Sequence, residues 1–246
     1  MEKYEIVPQG ISADLVADKY HITREQMDEF SYHSHMKAIR AIDEGRFKRE
    51  IVPVPVLDEN GNKRIFETDE HPRRTTSLEK IASLPPAFKL DGRITAANSS
   101  GINDGACAIL VSSPGKAKEL GLEPRARFIA SGSAGTSPTI MLDATIPAVR
   151  KSLAKASLGV DDIDIWEVNE AFASVPLATR NEIGIDDATL NVNGGAIALG
   201  HPLGMSGVRL ITTMLHEMER QDLRRGLATL CIGFGMGLAT IIERPG

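Results

Sequence analysis

Cysteine is scarce in this chain of 246 residues: there are two, Cys107 and Cys231, and they lack the paired spacing of a zinc site. Two thiols cannot build a disulfide framework, and their sparseness fits a reducing compartment, so a cytoplasmic location is expected. Charge of one sign is lacking too. The net charge is −5, and the only basic cluster, Arg46, Lys48 and Arg49 around Phe47, is too small to neutralise a phosphate backbone, so no nucleic-acid partner is expected. Long hydrophobic runs are missing. The stretch 227–242 is nearly free of charge, but its 16 residues fall short of the roughly 20 that cross a bilayer, and glycines interrupt it. A buried hairpin accounts for it, and no membrane partner is expected. The opening MEKYEIVPQG carries acidic residues and no continuous apolar core, which is not the pattern of a secretory leader.

What is present is an ordinary globular composition, 42% hydrophobic and 25% charged, long enough for one compact α/β unit with an appendage. Residues 1–97 hold 32 charged side chains and residues 98–246 only 29, which predicts a solvated region followed by a packed domain beginning at 98. Within 1–97, Thr23 and Gln26 form a capping box, and apolar positions continue at helical spacing until Gly45 stops the helix. Strand-like runs at 51–57 and 63–67 flank an Asn60-Gly61 turn, so a hairpin follows, with Pro53 and Pro55 confining the first strand to an edge. After Asn98, short apolar runs alternate with amphipathic stretches. Strands are predicted near 107–112, 125–131, 163–168, 226–232 and 236–243, and helices at 114–120, 145–156, 170–183 and 205–220. The last two strands form an antiparallel pair across Gly233-Phe234-Gly235.

Three segments do not look like packing sequence. Asn169-Glu170-Ala171-Phe172-Ala173 stands where a strand ends and a helix is expected, the place where wound sheets put ligands. Asn169 either caps that helix or faces a ligand. The run NVNGGAIALGHPLG at 191–204 carries four glycines, which suit either a tight loop or close backbone approach to a ligand. His201, between Gly200 and Pro202, is either structural or a proton-transfer group with a pKa suited to neutrality. The third run, CIGFGMG at 231–237, has a GxGxG string, but a strand rather than a helix follows, so a nucleotide fingerprint is excluded. Cys231 is an inert buried thiol unless a histidine or a backbone dipole lowers its pKa. The other histidines lack partners at metal spacing, and no metal site is expected. Cys107, in GACAILV, reads as a small buried hydrophobe within a core strand.

Taken in order, NEAFA, NVNGGAIALGHPLG and CIGFGMG resemble the C-terminal half of the thiolases, the family of acetyl-CoA acetyltransferases and 3-ketoacyl-CoA thiolases. GRFKREIVPV at 45–54, the PAF at 86–88 and NSSGINDGA at 98–106 extend the resemblance over the whole chain. It implies a layered α/β half with a mixed sheet and helices (98–246), plus an α+β loop subdomain covering CoA (1–97). The implied activity is thiolysis of 3-ketoacyl-CoA or Claisen condensation of acyl-CoA, with coenzyme A as co-substrate and no permanently bound cofactor. His201 would activate a nucleophilic cysteine, and Cys231 would move the α-proton of the second acyl-CoA. Asn169 would hold a water that stabilises an enolate oxygen, and the Gly233 N–H would bind an oxyanion. Arg73, Phe88, Ser100 and Phe172 would contact CoA.

Two departures accompany the resemblance. Pro8-Gln9-Gly10 stands where many thiolases have His-Met-Gly, which opens longer or bulkier acyl groups. The family's nucleophilic cysteine belongs to an N-terminal half expected to be missing here, so the chain alone is expected to be inactive. An N-terminal thiolase half or other thiolase subunits would be its partners, in a homo-oligomer. A non-catalytic acyl-CoA-binding protein is the alternative. A decarboxylating condensing enzyme fits less well, because such enzymes carry histidine or asparagine where Cys231 stands.

Overall fold

The computed structural model describes residues 4–245. The chain opens with α1 (Gln9–Lys19) and α2 (Arg24–Asp43). The predicted capping box starts α2: Gln26 N–H donates to Thr23 Oγ1 at 3.3 Å, and Thr23 N–H donates to Gln26 Oε1 at 2.8 Å. Gly45 follows its end in the left-handed region. The predicted hairpin forms from β1 (Val54–Leu57) and β2 (Lys63–Phe66), with Asp58 Oδ1 accepting from the amides of Asn60 and Asn62 to close the turn. The short helices α3 (Leu78–Ala82) and α4 (Pro114–Glu119) come next.

The remaining elements are β3 (Arg127–Gly135), α5 (Thr145–Ala156), β4 (Ile165–Val168), α6 (Ser174–Ile183), α7 (Ala196–Leu199), α8 (Ser206–Gln221), β5 (Arg225–Gly233) and β6 (Met236–Glu243). They build a mixed sheet in the order β3-β6-β5-β4, with β4 parallel to β5 and the other pairs antiparallel. The two-residue period of the strands separates two cores. Trp166, Val168, Leu227, Ala239 and Ile241 face α5 with Ala148, Val149 and Leu153, while Ile165, Ala228 and Ile242 face α8 with Leu210, Met214 and Met218. The β5–β6 turn places both Phe234 (φ +49°) and Gly235 (φ +83°) in the left-handed region, as a tight hairpin of this hand requires.

A third core crosses the expected boundary between residues 97 and 98. Ala13, Val16 and Ala17 of α1 and Met27 of α2 are buried together with Phe172, Val175 and Leu177. The charged surface of 1–97 therefore hides an apolar face that docks on α6.

Two expectations are corrected. No strand forms at 107–112: residues 101–113 run without helix or strand, and Ile109, Leu110 and Val111 are 39%, 80% and 60% exposed. A strand is stable only where a neighbour satisfies its amides, and no strand in the described residues lies beside this segment. Cys107 is consequently not a core-strand residue. It is partly buried, its Sγ 3.5 Å from Thr212 Oγ1. The helix expected from 170 begins only at Ser174, because residues 171–173 pair with 98–100: Ser100 N–H donates to Ala171 O at 3.0 Å and Ala173 N–H to Asn98 O at 2.9 Å.

Helix α5 lies tightly on β3. A Cβ added at Gly132 would stand 2.6 Å from Ser152 N and 2.7 Å from Ala148 O, both backbone atoms that cannot swing away. Gly132→Ala is expected to cost about 1–3 kcal/mol through overpacking, measured by chemical denaturation; an unchanged midpoint would show that the helix can shift freely.

Candidate active site

Asn169 continues β4 by one residue, donating its N–H to Thr229 O of β5 at 3.0 Å. The next residue, Glu170, is fully buried and acts as a clamp. Its carboxylate accepts from Ser34 Oγ (2.6 Å), Asn191 Nδ2 (2.8 Å) and Ile197 N–H (3.1 Å), joining α2 and the glycine-rich loop to the end of the sheet. Asn191, itself at φ +43°, accepts from Val168 N–H and donates to Val168 O, both at 2.9 Å. The loop glycines serve this approach. A Cβ on Gly195 would stand 2.2 Å from the Glu170 carboxyl carbon, and one on Gly194 (φ +76°) 2.5 Å from Ser34 O.

So held, the loop passes through α7 and delivers His201 to the N-terminus of α8. Its ring joins the strand end: Asn169 Nδ2 lies 3.1 Å from His201 Nε2. The other ring nitrogen, Nδ1, lies 2.6 Å from Ser206 Oγ, which donates to Pro202 O at 2.8 Å. Asn169 Oδ1 is buried and has no partner among the described residues. Burial, and then the Arg209 guanidinium, lower the His201 pKa, which favours the neutral imidazole.

Cys231 lies on β5 two residues beyond Thr229, so the strand register brings it to the same end of the sheet. It is partly buried against the cluster that contains Phe172, and no hydrogen bond joins it to His201 or Asn169. Burial pushes its thiol up to about 11. Gly233 opens the β5–β6 turn at φ +101°, with open space where a side chain would stand. Phe88 meets Phe172 edge-on at 5.9 Å between ring centroids, and Ser100 is fixed to Ala171 as described. A Cβ on Gly10 would fall 2.1 Å from Phe88 Cγ, so the Pro8-Gln9-Gly10 departure abuts this aromatic pair. Arg73 lines a cavity of about 530 Å³ with His35, His71, Lys80, Ser99 and Gly101, next to Ser100. The structure thus joins Asn169 directly to His201 and Phe88 directly to Phe172, while Cys231 and Arg73 approach through neighbouring residues.

Sequence reasoning missed Ser206, Glu170 and the polar group on the α8 face of the sheet. There Arg209 reaches Glu167 at 3.4 Å, and Thr213 reaches Glu50 at 3.3 Å. Burial raises Glu167 to about 8 and Glu50 to about 7. A serine five residues after a histidine and a carboxylate inside a strand were the available signals. Among the described residues, no group of three or more His, Cys, Asp or Glu is arranged to hold a metal ion, and no helix is long and apolar enough to cross a membrane.

Two outcomes follow from these environments. Glu167 holds its proton in the folded state up to about 8 and releases it on unfolding from about pH 4.5 upward, so its contribution to stability is full below that point and is lost as pH rises through 8. Glu167→Gln is therefore expected to raise Tm relative to the parent chain more at about pH 8 than at about pH 5, and the opposite order would contradict the buried-acid assignment. For Cys231, alkylation by iodoacetamide is expected to rise about tenfold per pH unit between about pH 7 and 10, because only the thiolate attacks. A pH-independent rate would show that the thiol is already ionised. Burial outweighs the backbone hydrogen bond that lowers the thiol pKa.

The thiolase C-terminal domain model matches residues 122–244, and the thiolase N-terminal domain model matches residues 1–114. The second match corrects the expectation that the N-terminal half is missing, since the first 114 residues belong to that domain. An acetyl-CoA acetyltransferase of Pseudomonas aeruginosa is 50% identical over 235 residues, covering 96% of this chain and 60% of that protein. A beta-ketoadipyl-CoA thiolase of the same organism is 48% identical over 245 residues, 99% of this chain and 61% of that one. The crystal structure of the Bacillus anthracis acetyl-CoA acetyltransferase superposes with a TM-score of 0.94 at 41% identity, over 99% of this chain and 61% of that chain. Human mitochondrial 3-ketoacyl-CoA thiolase gives 0.94 at 40%, over 97% of this chain and 60% of that one. This chain spans about 60% of the length of the curated relatives it matches. With both domain models matched in order and the histidine–asparagine pair at the sheet end, the chain belongs to the thiolase family.

Proposed function

We propose that this chain carries the C-terminal catalytic groups of a thiolase-type acyl-CoA acyltransferase, acting in thiolysis of 3-ketoacyl-CoA or in the reverse condensation. The observation that carries the reading is the 3.1 Å contact between Asn169 and His201 at the end of β4, beside the strand that bears Cys231. An α-proton of a thioester is weakly acidic, so its removal needs a base and fixed donors that take up the charge on the carbonyl oxygen. In this reading the Cys231 thiolate takes the proton, and Asn169, through a water, works with His201 on the enolate oxygen. The Gly233 N–H serves the oxyanion of acyl transfer. The thiol at about 11 supports a base of high proton affinity, which becomes a thiolate only when a partner removes its proton.

The acyl-CoA is assigned to the side of the molecule where Phe88, Phe172 and Ser100 meet, with Arg73 reaching it from the adjoining cavity. The abutment of Gly10 on Phe88 supports selection among acyl groups at that point. For the nucleophile, the two thiols present offer no candidate. Cys107 lies on the irregular segment against Thr212, and Cys231 has the proton-transfer role. The attacking sulfur is therefore assigned to polypeptide beyond these 246 residues, on an N-terminal thiolase segment or another subunit, within a homo-oligomer. The neutral Cys231 thiol favours one second reading, an acyl-CoA-binding protein without turnover.

The purified chain is expected to show no thiolysis of acetoacetyl-CoA with free CoA. Activity is expected when a thiolase N-terminal segment bearing the nucleophilic cysteine is supplied, with Cys231→Ala and His201→Ala each reducing it about 10²–10⁴-fold. Full turnover by the chain alone would overturn the divided site. Turnover indifferent to Cys231→Ala would overturn the role of that thiol, and CoA binding with no response to the added segment would establish the second reading.

A further inference from the structure

We propose that Ser206 is a positioning residue that fixes the tautomer of His201, keeping the ring proton on Nδ1 and leaving Nε2 as the lone-pair nitrogen beside Asn169. The assignment follows from counting protons. Ser206 Oγ has one hydrogen and two neighbours within bonding distance, Pro202 O at 2.8 Å and His201 Nδ1 at 2.6 Å. A carbonyl only accepts: with the hydroxyl proton on Pro202 O, which also accepts from the Met205 and Ser206 amides, an oxygen lone pair faces Nδ1, and that nitrogen supplies the hydrogen. On the opposite edge of the ring, Asn169 Nδ2, a donor, lies 3.1 Å from Nε2, which must then be the acceptor.

The reversed arrangement fails at Asn169. It requires the carboxamide to turn so that Oδ1 accepts from an Nε2–H, which buries the amide NH₂ with neither hydrogen bonded. In the observed arrangement one amide hydrogen is bonded to Nε2, and among the described residues Oδ1 is the Asn169 atom left without a partner. A buried carbonyl with unused capacity is better tolerated than a buried unpaired N–H. Protonating both nitrogens is also disfavoured, since an Nε2–H would point at the Asn169 amide hydrogens. The ring further sits at the positive end of the sixteen-residue α8, with Arg209 one turn along.

The consequence for chemistry rests on the acyl-transfer reading, whereas the tautomer itself does not. Free neutral imidazole prefers its proton on the ε nitrogen, the wrong form for a base that works through Nε2. Ser206 reverses that preference before any substrate arrives, a positional role one residue removed from the reacting atoms.

The test is a long-range ¹H–¹⁵N correlation spectrum of the chain labelled at imidazole nitrogen, recorded at about pH 8, where neutral rings dominate. The His201 signal is identified by its loss in His201→Gln. The expected result is a pyrrole-type Nδ1 and a pyridine-type Nε2; the opposite pattern, or two protonated nitrogens, overturns the proposal. Ser206→Ala, which leaves Asn169 alone to hold the tautomer, is expected to move the signals part of the way toward the ε-protonated form and Ser206→Thr to keep the parent pattern, with the other five histidines unmoved as the measure of intact structure. An unaltered His201 pattern in Ser206→Ala would overturn the role of the hydroxyl. If that variant does not fold, the spectrum of the unaltered chain decides by itself. Because no turnover is read, a failed thiolysis assay and a failed tautomer assignment remain separate results.

Discussion

Everything at the working end of this sheet hangs on one buried carboxylate. Among the described residues Glu170 has no counter-cation within bonding distance; it is held by a hydroxyl from α2 and by a carboxamide and a backbone amide from the glycine-rich loop. Burial raises its pKa, and the three donors pull the other way without cancelling that effect. Because Ser34 lies on α2 and Ile197 on α7, the clamp ties the charged N-terminal region, the glycine-rich loop and the central sheet into one unit. The glycines at 194 and 195 are then needed less for flexibility than for proximity, since any side chain there would push the loop off the carboxylate or off α2.

The electrostatics of the site favour neutral forms. Burial lowers the imidazole and raises the thiol, and on the α8 face of the sheet it also raises Glu167 and Glu50 despite the guanidinium of Arg209. An environment of this kind suits proton shuttling between weak acids, where each group must give up and recover a hydrogen without being trapped as an ion. Thioester enolate chemistry makes that demand, because the charge that develops is brief and sits on the substrate.

How much of this was legible in the sequence depended on how local each determinant was. The capping box at Thr23, the Asn60-Gly61 hairpin and the β5–β6 turn rest on neighbouring residues, and the structure has all three. The mixed sheet followed from alternating apolar runs. The strand at 107–112 did not form, because strand propensity says nothing about whether a neighbouring strand exists to bond it. Helix α6 began late because residues 171–173 took up pairing with 98–100, a contact no local pattern encodes. For the site, His201 and Asn169 stood out by residue type and loop setting, and the structure joins them. Ser206 did not stand out, since a serine opening a helix is commonplace, and only the folded turn reveals what its hydroxyl faces.

The irregular segment from 101 to 113 has a consequence of a colloidal kind. Ile109, Leu110 and Val111 form a β-prone apolar run held open to solvent, with backbone amides that no ladder occupies. Such a run will take up whatever edge it meets first, and at high protein concentration that edge belongs to an identical neighbour. The exposed apolar run is thus a liability for solubility, and a charge introduced at Leu110, which is 80% exposed, would act as a gatekeeper within it.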